Sequence, residues 1–137
     1  MQSATLTTSV SKKALWAGRI LSGIPILFLL VDGAFKLVRP TPAAVVEAMN
    51  KVGYPPTLTA TIGVLLLVCV VVYMIPRTAV LGAILLTGYL GGAVATHTRV
   101  GDPLFSHILF PVYMGLFVWG GLYFRDERLR ALIPLRG

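Results

Sequence analysis

The stretch LTATIGVLLLVCVVVYMIPRTAVLGAILLTGYLGGAVAT, residues 58–96, holds two long apolar segments that are separated by little more than Pro76 and Arg77. An α-helix needs about 20 apolar residues to cross the hydrocarbon core of a bilayer, and both segments approach that length. Strands of a membrane barrel are about half as long and alternate in polarity, which these segments do not do. Since backbone polar groups cannot remain unpaired in lipid, the stretch predicts two transmembrane helices joined by a tight turn.

Two further apolar segments flank this pair, so that the predicted spans cover residues 14–37, 58–75, 78–96 and 104–124. The loop RPTPAAVVEAMNKVGYPP, residues 39–56, contains apolar residues at helical spacing after Pro42 and stops at Gly53. It predicts a short helix over residues 42–52 that lies on the membrane surface. The predicted fold class is therefore all-α: a membrane four-helix bundle with a short surface helix between the first and second spans.

The composition agrees with a membrane protein and excludes several other classes. Of 137 residues, 56% are hydrophobic and 12% are charged, against roughly 25% charged in soluble domains. The net charge is +7, yet no basic stripe with interleaved aromatic residues is present, so nucleic acid is not expected as a partner. The lone Cys69 lies inside an apolar segment and has no CxxC partner, which disfavours thiol redox chemistry.

The distribution of Lys and Arg predicts the orientation in the membrane. With four spans, both termini and the turn at residues 76–77 share one side. That side carries Lys12, Lys13, Arg19, Arg77, Arg125, Arg128, Arg130 and Arg136, whereas the other carries Lys36, Arg39, Lys51 and Arg99. The excess of basic residues on the first side predicts that both termini are cytoplasmic. The predicted organisation is a flexible N-terminal tail (1–13), a transmembrane domain (14–125) and a cytoplasmic C-terminal tail (126–137).

Six ionisable side chains are predicted to lie at one membrane depth, on the side opposite the termini. They are Asp32, Lys36, His97, Arg99, Asp102 and His107. A carboxylate inside an apolar segment is costly unless it is paired or wet, so Asp32 is a candidate functional residue. The six residues are predicted ligand-binding residues, because ionisable groups that converge in an apolar bundle are typical of a site.

Each of these residues also has a purely structural interpretation. Lys36 and Arg99 can anchor helix ends at the interface, and Asp32 can form an ion pair with Lys36, four residues on. Asp102 precedes Pro103 and is predicted to cap the fourth span. A metal site made from His97, His107 and a carboxylate matches no standard ligand spacing, so no metal is predicted.

Small residues recur along the third span at helical spacing. Gly88 and Gly92 form a GxxxG pattern, which is typical of helices that approach each other closely. We therefore expect the third span to be central in the bundle, with His97 directed toward neighbouring helices.

The chain resembles the DoxX-like family of small four-helix bacterial membrane proteins. The resemblance covers nearly the whole chain. It rests on DGAFKL (32–37), EAMNKVGYPPTLTATIGVLLL (47–67), IPRTAVLGAILLTGYLGGAVATHTRVGD (75–102) and GLYFRDERLRALIPLR (121–136). It implies the four-helix fold and a place in the bacterial inner membrane. Some relatives are similar to a subunit of a thiosulfate:quinone oxidoreductase, and others are associated with oxidative-stress complexes or methylamine utilisation. None of these roles transfers by fold alone.

Two functional hypotheses from different classes follow. The first is an accessory or binding subunit of a membrane redox or biosynthetic system, with a protein partner or a second copy of the chain. The alternative is a binder or enzyme for a small amphipathic molecule of quinone or isoprenoid type, held in a pocket on the extracytoplasmic side. A transporter is a third option, and it would need an oligomer. The sequence identifies no cofactor, and the bilayer is the one partner common to all three.

Overall fold

The computed structural model describes residues 11–132, in which helices account for nearly all of the chain and no strand occurs. The α-helices are α1 (Lys12–Leu37), α2 (Ala43–Lys51), α3 (Thr59–Met74), α4 (Ala79–Arg99), α5 (Phe110–Arg125) and α6 (Glu127–Leu132). Within that range four helical segments are long and apolar enough to cross a membrane: Lys12–Leu37, Pro56–Met74, Pro76–Arg99 and Leu104–Arg125. The predicted all-α, four-helix membrane fold is confirmed.

The predicted tails lie partly outside the described residues. Residues 1–10 of the N-terminal tail and residues 133–137 of the C-terminal tail are not described, while α6 occupies part of the segment assigned to the second tail. Asp126 caps α6, because its carboxylate accepts the backbone N–H groups of Arg128 and Leu129.

The spanning helices form a ring in which α1 packs against α3 and α5, and α4 packs against the same two helices. The core between them is formed by Leu66, Val70, Tyr73, Leu86, Val118 and Leu122. The Tyr73 hydroxyl is fully buried and donates to the Val118 carbonyl at 2.7 Å. Since it has one proton, the Ser22 hydroxyl at 2.6 Å must donate to it. One side chain thus joins α1, α3 and α5.

Three close contacts at glycine residues determine at which end each pair of helices comes together. We call the end with α2 the α2 end. The opposite end, with the Pro76–Thr78 turn, the start of α1 and the end of α5, is called the termini end. At the termini end, a Cβ on Gly82 would lie 2.2 Å from the backbone nitrogen of Tyr73, and one on Gly18 would lie 2.7 Å from the Gly121 carbonyl. At the α2 end, a Cβ on Gly63 would lie 3.1 Å from the Gly33 carbonyl. Hence α3 meets α4, and α1 meets α5, at the termini end.

The helix contact predicted from the GxxxG pattern is wrong. A Cβ added at Gly88, Gly91 or Gly92 would meet no atom within 4 Å. No neighbouring helix approaches α4 there, because α4 meets α3 at Gly82, near its other end. The expectation of a central third span is also wrong. Each of the four spanning helices packs against two others, so α4 is no more central than the rest.

The turn between α4 and α5 is shorter than predicted. α4 continues through His97 to Arg99, so the turn occupies residues 100–103 and contains Gly101 at a φ of +72°, a conformation that favours glycine. One π-helical turn, Leu104–Ile108, precedes α5. The predicted cap by Asp102 is wrong, because Pro103 precedes this turn and no side chain caps it.

Replacing Gly82 with alanine should destabilise the bundle by about 1–3 kcal/mol, because the new methyl group overlaps the Tyr73 backbone. Thermal unfolding in detergent, followed by circular dichroism, measures the loss as a lower melting temperature. Gly91→Ala is the matched control on the same helix: its methyl group meets open space, and alanine favours a helix. Equal melting temperatures for the two variants would contradict the proposed contact.

Candidate functional site

A pocket of about 740 Å³ occupies the α2 end of the bundle. Its body is apolar and is formed by residues of the spanning helices such as Phe28, Leu65, Tyr89 and Met114. Gly88 and Gly92 line it as well, so the glycines of the GxxxG pattern border empty space. The polar groups of the lining belong to Asp32, Lys36, Tyr54, Thr96 and His97, together with Cys69 and the hydroxyl of Tyr89.

We infer that the pocket opens sideways between α3 and α4, because exposed residues of both helices line it. Leu65, Ile84 and Leu85 line it, yet they are 55%, 55% and 40% exposed. These residues lie within helices of membrane-spanning length, so the surface around them would face lipid and not water. The opening follows from the close contact at Gly82, because two helices held together at one end can separate at the other.

Asp32 and Lys36 form an ion pair at the wall of the pocket. The Lys36 ammonium lies 2.5 Å from the Asp32 carboxylate, across one turn of α1. The Lys36 side chain is the less exposed of the two, at 13% against 39%. Gly63 makes room for it, since a Cβ on Gly63 would come within 2.8 Å of the Lys36 Cβ. The pair brings two opposite charges and no net charge to the lining.

His97, Asp102 and Lys51 form a second polar group beside the pocket. His97 Nδ1 lies 2.5 Å from one Asp102 oxygen, and the Lys51 ammonium lies 3.3 Å from the other. The Asp102 side chain is only 4% exposed. Because the carboxylate accepts, the hydrogen of a neutral His97 ring resides on Nδ1. Nε2 of His97 then has no partner among residues 11–132 and remains available to a ligand.

The pKa of Asp102 is held below its ordinary value. The hydrogen bond from His97 is the largest cause, burial opposes it by raising the pKa, and Lys51 adds a further lowering. The carboxylate is thus ionised at neutral pH and fixes the orientation of the His97 ring.

Arg99 lies outside the lining of the pocket and acts on α2. Its Nη2 donates to the Val52 carbonyl at 2.5 Å, just after the last turn of α2. Nearby, the Tyr54 hydroxyl bonds Thr96 Oγ1 at 2.7 Å, while Thr96 donates to the Gly92 carbonyl. With the Lys51–Asp102 pair, these bonds hold α2 and its continuation against α4, where Met49 and Val52 close the pocket.

His107 also lies outside the lining. Its ring stands edge-to-face to that of His97, with centroids 5.8 Å apart, and its Nδ1 bonds Ser106 Oγ at 2.8 Å. Among residues 11–132, no three His, Cys, Asp or Glu side chains are grouped as metal ligands would be.

The structure therefore separates the six predicted residues into three groups. Asp32, Lys36 and His97 line the pocket. Asp102 accepts a hydrogen bond from His97 and orients its ring, and Arg99 and His107 have other contacts. Sequence reasoning did not select Tyr54 and Thr96, whose bond joins residues 42 positions apart. The one signal in the sequence was Gly53, which ends the surface helix and directly precedes Tyr54. In the structure Gly53 has a φ of +80°.

Four membrane-length helices, with a pocket between them, define a multi-pass membrane protein. The chain belongs to the DoxX-like family, whose family model matches residues 20–121. The matched range includes the whole lining of the pocket and confirms the resemblance found in the sequence. No curated protein and no solved structure matches the chain.

Asp102→Asn should lower the melting temperature at neutral pH. The melting temperature of the variant should also depend less on pH in the acid range. A carboxylate with a lowered folded-state pKa stabilises the fold fully above its unfolded pKa, near 3.8. That stabilisation is lost as pH falls through the lowered value. Melting temperatures of wild type and variant, measured from about pH 6 to about pH 2, should therefore begin to converge below about pH 4. Glu47→Gln removes an exposed carboxylate of α2 and should leave the decrease of the melting temperature at acid pH unchanged. A constant gap between wild type and Asp102→Asn would contradict this account.

Arg99→Gln should loosen α2 without unfolding the bundle. A hydrogen bond from a charged donor contributes about 1.5–3 kcal/mol, so amide exchange in residues 43–53 should accelerate about 10- to 100-fold. Hydrogen–deuterium exchange with mass spectrometry resolves this segment from the spanning helices. Arg77→Gln removes the same charge at the termini end and should leave exchange in α2 unchanged, whereas equal exchange in both variants would remove Arg99 as a tether.

Proposed function

We propose that this protein binds a small amphipathic molecule of quinone or isoprenoid type in the pocket at the α2 end. The observation that carries the proposal is the pocket of about 740 Å³, with an apolar body and hydrogen-bonding groups at one end. Ligand pockets typically measure about 300–1,000 Å³ and combine these two features. The lateral opening between α3 and α4 supports entry of the ligand from the bilayer.

The charges of the lining favour a ligand with an uncharged polar head. Asp32 and Lys36 neutralise each other, and they are the one acidic and one basic residue of the lining apart from His97. A charged head would disturb that balance in a region of low dielectric. A hydroxyl head can instead donate its proton to Nε2 of His97. The protons of Tyr54 and Thr96 are already donated within the protein, so a carbonyl head would accept from the Tyr89 hydroxyl of the lining.

The His97–Asp102 pair also supports proton exchange with a bound head group. With Nδ1 donating to Asp102, Nε2 of the neutral ring is an acceptor and can take a proton from a ligand hydroxyl. The carboxylate would stabilise the imidazolium that results. This arrangement serves a binding protein and an enzyme equally, and binding is the activity proposed here.

The pocket favours this hypothesis over an accessory subunit, because a subunit that only contacts a partner requires no cavity. The charge distribution adds the expected setting, an inner membrane with cytoplasmic termini, in which the pocket opens on the extracytoplasmic side.

Gly88→Leu should reduce the amount of bound molecule about tenfold, because the new side chain would fill part of the pocket. Gly91→Leu is the matched control, since a Cβ at either position meets open space and only Gly88 lines the pocket. Both variants and wild type are extracted from their own membrane in mild detergent, and native mass spectrometry measures the added mass.

Equal added mass in the two variants would contradict the proposed site, and a larger complex with another polypeptide but no small molecule would favour the subunit hypothesis. If wild type carries no added mass, a short-chain quinone and a short-chain prenol serve as probes. Saturable binding of at least one of them, weakened by Gly88→Leu only, is then the expected result. Binding of neither would overturn the proposal.

A further inference from the structure

A second groove, of about 180 Å³, lies at the termini end of the bundle, opposite the pocket. It is lined by Arg19, Ser22, Gly23 and Ile26 of α1, Met74 of α3 and Arg125 of α5. α1 is held against α5 at this end by the contact between Gly18 and Gly121. A Cβ on Gly23 would meet no atom within 4 Å, so the floor of the groove is open.

Two guanidinium groups reach this groove without an acidic partner. Neither Arg19 nor Arg125 forms an ion pair within residues 11–132. Two positive charges in one small groove repel each other and attract an anion. The groove therefore carries uncompensated positive charge that can attract an anion, in contrast to the neutral ion pair in the pocket.

Both guanidinium groups are held in place by other contacts. Arg125 lies over the Tyr73 ring at 5.4 Å, and its Nε donates to Ser22 Oγ at 3.2 Å. Arg19 lies over the Trp16 ring at 5.5 Å. Contacts of this kind orient a guanidinium through its face and leave edge N–H groups to donate. Paired N–H donors match the oxygens of a phosphate, which arginine binds in a bidentate manner.

We propose that this groove binds the phosphate of an anionic phospholipid, as a site distinct from the pocket. Ile26 follows Arg19 by seven residues, or about 10 Å along the helix, and so lies deeper in the span. Ile26 and Met74 thus provide an apolar wall next to a cationic mouth. A phosphate joined to acyl chains fits both parts, whereas free phosphate fits the mouth alone. The bound lipid would bridge α1, α3 and α5.

The test uses the full chain in mild detergent with dioleoylphosphatidylglycerol, and native mass spectrometry counts the lipids retained at rising collision energy. Wild type should retain one lipid, and the double variant Arg19→Gln/Arg125→Gln should retain at least tenfold less. Gly23→Leu, which fills the groove and keeps both arginines, should lose the lipid to a similar extent. Arg77→Gln lowers the charge at the same end and should bind as wild type does.

Several results would overturn the proposal. Equal retention by wild type, the double variant and Gly23→Leu would mean that the lipid binds elsewhere. Equal retention of dioleoylphosphatidylcholine by wild type would remove the selectivity for an anionic lipid. Inorganic phosphate that displaces the lipid, or binds to wild type as tightly, would identify a site for free phosphate. If the double variant fails to fold, the comparison of Gly23→Leu with Gly91→Leu decides the question.

Discussion

The contact between Gly82 and the backbone of Tyr73 is the constraint on which the rest of the structure depends. Because glycine has no side chain, α4 comes close enough to α3 to make the Pro76–Thr78 turn a compact joint. The Tyr73 hydroxyl bonds the Val118 carbonyl and Ser22, so the same residue joins three helices at the termini end. Tight packing at this end and the lack of a comparable contact at Gly88 leave space at the other end, and the pocket occupies that space.

Polar side chains at the α2 end have two functions at once. Lys51 and Arg99 attach α2 to the end of α4, and Asp102 accepts from both Lys51 and His97. The helix that closes the pocket and the histidine that lines it are therefore parts of one hydrogen-bonded network. This coupling explains why a strongly apolar chain concentrates ionisable residues near one turn. Most of them satisfy each other, and His97 keeps one ring nitrogen for a ligand.

The apolar segments predicted the fold from sequence because the bilayer imposes a length and a polarity that few other environments require. The glycine contacts were not predictable in the same way. The GxxxG spacing shows that Gly88 and Gly92 share a face, but a spacing does not show whether a neighbouring helix approaches that face. Gly82 makes one of the two closest contacts and belongs to no comparable pattern. Its role follows from the position of Tyr73 on another helix.

The candidate site was predictable in position but not in its details. His97 and Arg99 are two residues apart on α4, which places their side chains about 200° apart around the helix axis. Only one of them could therefore face the pocket, and the choice depends on the rotation of α4 about its axis. Asp102 was assigned a local capping role because Pro103 follows it. Its partner Lys51 is far away in sequence, and nothing in the local pattern identifies it.

The tight joint at one end of α3 and α4 has a mechanical consequence. If α3 and α4 separate at Leu65 and Leu85, the protein gains cross-sectional area in one leaflet and hardly any in the other, because the helices remain in contact at Gly82. Lateral pressure in that leaflet acts against the widening, and membrane tension assists it. Access to the pocket is thus coupled to how tightly the surrounding lipids are packed.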